Sequence, residues 1–116
     1  MSLLLENETI NPVIEILQDK QAEDVSMIDL TSESAMADYL ILATGNSDVH
    51  MKSLSGHVGD TLDKMGITYR IEGENSPKWI LLDAGSLLVN IFSREGRGFY
   101  RLESIWGNAK TTRIEE

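Results

Sequence analysis

Apolar and polar residues alternate along this chain in two rhythms. Tyr39-Leu40-Ile41-Leu42-Ala43 is a continuous apolar run inside residues 38–44. It is too short for a typical helix, and being apolar on both faces it predicts a central strand. After it, Met51, Leu54, Val58, Leu62 and Met65 recur at spacings of three and four, which line one face of a helix. Gly45-Asn46-Ser47 turns the chain into that helix with Asn46 or Ser47 as cap, and Gly66 stops it. Gly56 and Gly59 fall inside it, where each costs about 1 kcal/mol against alanine, a cost that close packing on a sheet would justify. Residues 25–30 predict an earlier strand with Met27 and Asp29 on one face, and residues 67–72 a later one. Trp79–Asp83 and Leu87–Phe92 are separated only by Ala84-Gly85-Ser86, which predicts an antiparallel hairpin. Near the start, Asn11-Pro12 offers a cap and a first-turn proline, with Val13, Ile14 and Leu17 as a short stripe ending near Gln21. A last helix is predicted over residues 97–106, with Phe99, Leu102 and Trp106 on one stripe and Gly107 after it. The elements add up to an α/β fold, a mixed five-stranded sheet with about three helices. Strand, helix and strand across residues 38–72 favour a right-handed parallel crossover. Residues 1–9 are expected to be a flexible N-terminus, 10–107 one domain, and 108–116 a disordered tail.

Composition narrows what such a domain can do. The 116 residues contain no cysteine, so a disulfide framework and a thiolate metal site are both excluded. The opening Met1-Ser2-Leu3-Leu4-Leu5-Glu6 has no basic region and too short an apolar run for a signal peptide. No stretch approaches the roughly 20 apolar residues of a membrane span. The expectation is a soluble, unexported, cytoplasmic protein with no membrane partner. Its net charge is −9, and only residues 94–116, with five bases against four acids, break the acidic trend. Phosphate repulsion makes so acidic a chain a poor direct ligand for nucleic acid. A basic protein is the better-matched partner, although acidic charge also serves solubility alone.

Candidate chemistry is sparse. Thr44-Gly45-Asn46-Ser47 lies between a strand and a helix, where free amides can hold an anion. Without GxGxxG or a Walker pattern, and with acidic flanking charge, a plain capped turn is the favoured reading. His50 and His57 are seven residues apart, wider than the usual metal-binding pair on one helix. Nucleotidyl transfer, the alternative reading for this order of elements, needs paired carboxylates to hold metal ions. Here Asp83 stands alone, with Leu81 and Gly85 at the alternating positions. No nucleophile set is evident, so the expectation is a non-enzyme with no cofactor and no metal. Trp79, Tyr100 and Trp106 differ in kind, since large aromatics with a polar tip serve both cores and interface hot spots. Phe99 and Ile105 are expected in the core. Asp83 closes its strand, either accepting a bond from a basic partner or bracing the hairpin turn.

The segment 37–50, Ala-Asp-Tyr-Leu-Ile-Leu-Ala-Thr-Gly-Asn-Ser-Asp-Val-His, closely resembles the central signature of the Iojap family of ribosomal silencing factors. The likeness continues through Glu72-Gly73, Trp79–Gly85, Phe92 and Phe99–Trp106, in order and without large gaps, over about residues 10–107. The resemblance implies a fold related to the nucleotidyltransferase group but without its catalytic carboxylates. It implies binding to the large ribosomal subunit through that subunit's fourteenth protein, on the face that meets the small subunit. A bound factor would then block subunit joining and repress translation. Members often pair as dimers, so a homodimer is a further expectation. By resemblance the partner-binding set is Trp79, Asp83, Tyr100, Leu102, Glu103 and Trp106. Two positions depart from the family pattern: Ser86 stands where an acid is usual, and Asn90 where histidine is frequent.

Overall fold

A computed structural model describes residues 2–31, 37–100 and 110–114. In chain order the elements are α1 (Ser2–Asp19), β1 (Glu23–Asp29), β2 (Tyr39–Gly45), α2 (Asp48–Lys64), β3 (Arg70–Glu72), β4 (Trp79–Asp83), β5 (Leu87–Ser93), α3 (Arg94–Tyr100) and β6 (Lys110–Arg113). The strands form one mixed sheet in the order β3-β4-β5-β2-β1-β6. Its single parallel pairing joins β2 to β5, registered from Tyr39 opposite Leu87 to Gly45 opposite Ser93. The remaining neighbours are antiparallel.

All seven residues of β2 are buried, as its unbroken apolar run requires of a strand covered on both faces. Alternation then sorts the sheet's side chains. Ile41, Ala43, Ile80, Leu82, Val89 and Ile91 join one cluster with Ile10, Val13 and Leu17 of α1 and with Met51, Leu54, Val58 and Leu62 of α2. Each such buried side chain larger than alanine contributes about 1.5–3 kcal/mol through loss of water contact. The opposite face gathers Ile28, Leu30, Leu40, Leu42 and Phe92, with Trp79 and Leu88 packed against them. The α3 helix sits on this second face, against β5 and β2.

The helix ends follow local chemistry. Ser47 caps α2, its Oγ accepting from the His50 amide at 3.0 Å. Gly66, at φ +73°, closes the other end, and the Ile67 amide reaches back to the Leu62 carbonyl at 2.9 Å, the pattern of a Schellman cap. Within α2, Gly56 faces open space, whereas a Cβ on Gly59 would lie 2.5 Å from the Tyr69 hydroxyl. Close packing therefore explains Gly59 and not Gly56.

The expected α/β class, with its mixed sheet and three helices, is present, and the structure adds detail at both ends. Residues 110–113, expected in a disordered tail, form β6 antiparallel to β1, from Asp29 opposite Lys110 to Ser26 opposite Arg113. This sixth strand lies at the sheet edge, where backbone pairing suffices and an apolar pattern is not needed. The helix expected to start at Asn11-Pro12 begins at Ser2, inside the segment expected to be flexible, and Pro12 lies in its interior. Ile10 and Val13, buried on either side of the proline, hold the helix to the core across the lost amide. β3 runs parallel to β2, as the crossover expectation has it, but β4 and β5 separate the two. The last helix starts three residues before the expected Arg97. The rest of its expected length, with Ile105 and the side chain of Phe99, lies outside the described residues.

Candidate functional site

Trp79 opens β4 at the mouth of a tightly tied loop. The Ser76 hydroxyl accepts from the amides of Lys78 and Trp79 at 3.1 and 3.2 Å. Gly73, at φ +72°, backs so closely onto the Trp79 carbonyl that a Cβ would come within 2.6 Å of it. Across the strand pair Trp79 lies opposite Phe92, and the two rings stack with centroids 5.4 Å apart and planes 25° from parallel. The indole N–H donates to Asn90 Oδ1 at 2.9 Å. An indole can only donate, so the amide oxygen must face it. The Asn90 NH2 then turns to the carbonyls of Ile41 and Leu88, both at 3.4 Å. Asn90 is thus the buried polar post of the second sheet face. What position 90 needs is an acceptor for an indole, and asparagine supplies it where the resemblance leads one to expect histidine.

Leu81 and Asp83 follow Trp79 on the same face by strand alternation, all three half-buried. Opposite them on β3 stand Glu72 and Arg70, both exposed. Glu72, Gly73, Trp79 and Leu81 line a cavity of about 200 Å³. Asp83 Oδ1 accepts from the Gly85 amide at 2.9 Å, which braces a turn whose glycine sits at φ +84°. Of its two roles considered from sequence, the turn brace is therefore occupied. The Ser86 carbonyl accepts from the amides of Asp38 and Tyr39 at 2.8 and 3.1 Å, tying that same turn to the start of β2.

Of the six residues expected to bind a partner, Trp79 and Asp83 share this face. Leu102, Glu103 and Trp106 lie outside the described residues, as does the side chain of Tyr100, whose backbone ends α3. Sequence reasoning passed over Ser76 and the contacts of Arg97, and noted Asn90 only as a departure from the family pattern. A further signal for Asn90 was a lone amide within an otherwise apolar strand.

Beside this face, α3 is fastened by polar contacts. The Ser93 hydroxyl accepts from the Gly96 amide at 2.9 Å. Arg94 forms a two-pronged pair with Glu23, Nε to Oε1 at 2.9 Å and a terminal nitrogen to Oε2 at 2.7 Å. The hydrogen bond from Arg94 holds the Glu23 carboxyl below its ordinary value and, reciprocally, raises the guanidinium. Arg97 donates to Thr44 Oγ1 at 3.0 Å and to Ser26 Oγ at 3.4 Å.

The Thr44–Ser47 turn is a capped turn with its own lock. The Asn46 amide donates to His50 Nδ1 at 2.9 Å, and His50 Nε2 lies 2.9 Å from the Lys20 carbonyl. Because the amide must donate and the carbonyl must accept, the ring proton sits on Nε2. His50 thereby joins the end of α1 to the start of α2. Among the described residues no three His, Asp or Glu side chains are grouped to hold a metal ion, and no helix is long and apolar enough to cross a membrane. The face around Trp79 and Leu81 is half-apolar, with Asp83, Glu72 and Arg70 beside it.

Comparison with known proteins places the chain in a family. Residues 5–116 match the family described as "Ribosomal silencing factor during starvation". The ribosomal silencing factor RsfS of Bacillus subtilis is 36% identical over 92 residues, 78% of each chain. A crystal structure of a protein from Chromobacterium violaceum superposes with a TM-score of 0.84 at 29% identity, covering 95% of this chain and 92% of that one. A more distant relative, mouse "Mitochondrial assembly of ribosomal large subunit protein 1", is 24% identical, covering 84% of this chain and 44% of its own. The fold defines a small α/β protein with a mixed sheet. The chain belongs to the family of ribosomal silencing factors.

Proposed function

We propose that this protein binds the large ribosomal subunit through its fourteenth protein and, by occupying the surface the small subunit must meet, blocks subunit joining and represses translation. Family membership carries the reading, and the half-apolar face of Trp79, Leu81 and Leu88 supports it, because docking needs an anchor and a polar rim and no catalytic pocket. The net charge of −9 suits a basic ribosomal protein and disfavours direct contact with RNA. A standard interface takes about 800 Å² from each partner, a modest share of the 6630 Å² this chain exposes. The binding set is Trp79 and Asp83 on the sheet with Tyr100, Leu102, Glu103 and Trp106 after it. The protein acts in the cytoplasm, where its ribosomes are, and pairing of two copies is compatible with the reading.

The alternative, a nucleotidyltransferase-like enzyme, loses support from Asp83, the carboxylate it would use, which is bonded to the hairpin turn. The test is direct binding of the purified protein to the isolated fourteenth protein of the large subunit. Glu103→Arg is expected to weaken it about tenfold or more, as reversal of a rim or core charge does, with circular dichroism unchanged. Binding to the whole subunit but not to that protein would move the contact elsewhere. Turnover of a nucleoside triphosphate, lost in Asp83→Asn, would favour the enzyme.

A further inference from the structure

We propose that the outer edge of β3 takes up an extended, lysine- or arginine-bearing segment of a protein partner as an added strand, whose side chains enter two hollows between that edge and the flank of α2. The hollows lie on the opposite side of the sheet from Trp79, and the proposal does not depend on the function proposed above. Among the described residues β3 has β4 on one side and no strand on the other. Arg70 and Glu72 share the Trp79 side, opposite Asp83 and Leu81. Ile71 alternates to the α2 side, where Ile67 and Tyr69 also pack, half-buried, against the main core. Natural sheets guard their edges with charges that spoil pairing. Here both charges of the strand turn to one side, and the α2 side of the edge is left apolar.

Two hollows follow the edge on that side and share Ile71. The larger, about 570 Å³, is lined by Asp63, Ile67, Thr68, Tyr69 and Ile71. The smaller, about 170 Å³, lies between Lys52, Ser55 and Gly56 of α2, Ile71 of β3, and Glu74 with Asn75 of the loop. Alternate side chains of a strand stand roughly 7 Å apart on one side, so neighbouring hollows suit alternate residues of one added strand, the way edge pairing gains specificity. Gly56 fits the same picture. Glycine weakens a helix interior, and a Cβ there would meet nothing within 4 Å, so no contact among the described residues requires it. A chain passing close to the helix would. Charge then selects the occupant. Asp60, Asp63 and Glu74 are in no ion pair among the described residues. Burial first, and then the field of Asp63, Asp60 and Glu74, raise the Tyr69 phenol above its ordinary value. These three carboxylates outnumber the neighbouring Lys52 and Lys64, which favours a cationic side chain in the larger hollow.

The probe is a peptide of about eight residues, an ordinary strand length, in which lysine alternates with threonine or valine. It is titrated to about 1 mM, the weak end of specific binding, into the isotope-labelled full chain and followed by NMR. A second peptide carries glutamate in place of lysine. The lysine peptide is expected to shift the amide signals of Thr68 to Glu72, and the glutamate peptide to leave them in place. No shift at these residues, equal shifts with both peptides, or shifts on the Trp79 side alone overturn the inference. So do shifts of the same residues when only the protein concentration is raised, because a second copy of this chain is then the occupant. Gly56→Met separates docking from structure. Methionine is the better helix former, so the variant is expected to melt at a higher temperature and yet to bind the lysine peptide about tenfold more weakly, its side chain blocking the smaller hollow. Unchanged binding in Gly56→Met overturns the inference. If that variant fails to fold, the exposed carboxylates decide: Asp63→Lys and Glu74→Lys are each expected to weaken the lysine peptide about tenfold, and binding that neither change affects overturns the inference.

Discussion

Trp79 shows how a residue can be built into a sheet and still present a surface. Its ring stacks on Phe92 and its N–H satisfies Asn90, yet it is only half-buried. Trp79→Ala removes the stack and strands a buried amide oxygen, and is expected to cost roughly 2–3 kcal/mol of stability. Trp79→Phe keeps the stack and loses one hydrogen bond, about 1 kcal/mol. Urea unfolding of the two variants checks both values; equal stability of Trp79→Ala and wild type would show that the indole is not built into the sheet. Lost binding in Trp79→Ala therefore does not by itself prove a contact, and Leu81→Ala, on the same face with no polar partner to strand, is the cleaner probe. That Trp79 would be packed on one side was legible from its residue type. The role of Asn90 was not, because one asparagine in a strand is equally a bulge, an edge residue or a buried post until its neighbour across the sheet is known.

At the scale of the element, α3 offers a paired test of packing against propensity. A Cβ on Gly96 would collide with the Lys78 carbonyl, whereas one on Gly98 would meet nothing among the described residues. Gly96→Ala is expected to destabilise by about 1–3 kcal/mol, as overpacking does, and Gly98→Ala to stabilise by roughly 0.5–1 kcal/mol. Thermal unfolding of the two single variants decides, and shifts in the same direction would contradict this placement of α3. The Arg94–Glu23 pair beside them depends on pH. Hydrogen bonding from Arg94 lowers the Glu23 carboxyl in the fold, so its contribution is complete above the ordinary glutamate value and is lost as pH falls through the lowered one. The Arg94 Nε–H signal, followed by NMR, is expected to stay sharp from about pH 6 down to the ordinary glutamate value near 4.3 and to fade below it. A signal that fades well above that value would show the pair is not formed. Elements with a strong rhythm, α2 and the β4–β5 hairpin, were legible along the sequence. The start of α3 was not, since Arg94-Glu95-Gly96-Arg97-Gly98 is polar and glycine-rich. Nor was β6, whose Lys110-Thr111-Thr112-Arg113 carries only two β-branched residues as a hint. Pro12 pointed to a helix start, but burial of Ile10 and Val13 outweighs it.

The whole molecule divides its labour between the two sides of one sheet. The α1–α2 side carries most of the aliphatic core. The other side combines a smaller cluster with half-buried aromatic and aliphatic residues, a buried asparagine and a polar clasp on α3. The order β3-β4-β5-β2-β1-β6 brings Trp79 of β4 onto the same face as the residues that hold α3. That juxtaposition depends on strand order, which no local pattern in the chain encodes. The function proposed above asks such a domain to inhibit by occupancy alone. The most direct measurement mixes purified large and small ribosomal subunits with rising amounts of the protein and follows joining by light scattering and gradient sedimentation. Occupancy predicts that the protein migrates with the large subunit alone and that joined ribosomes decline in step with it. Full joining with the large subunit saturated by bound protein would contradict it.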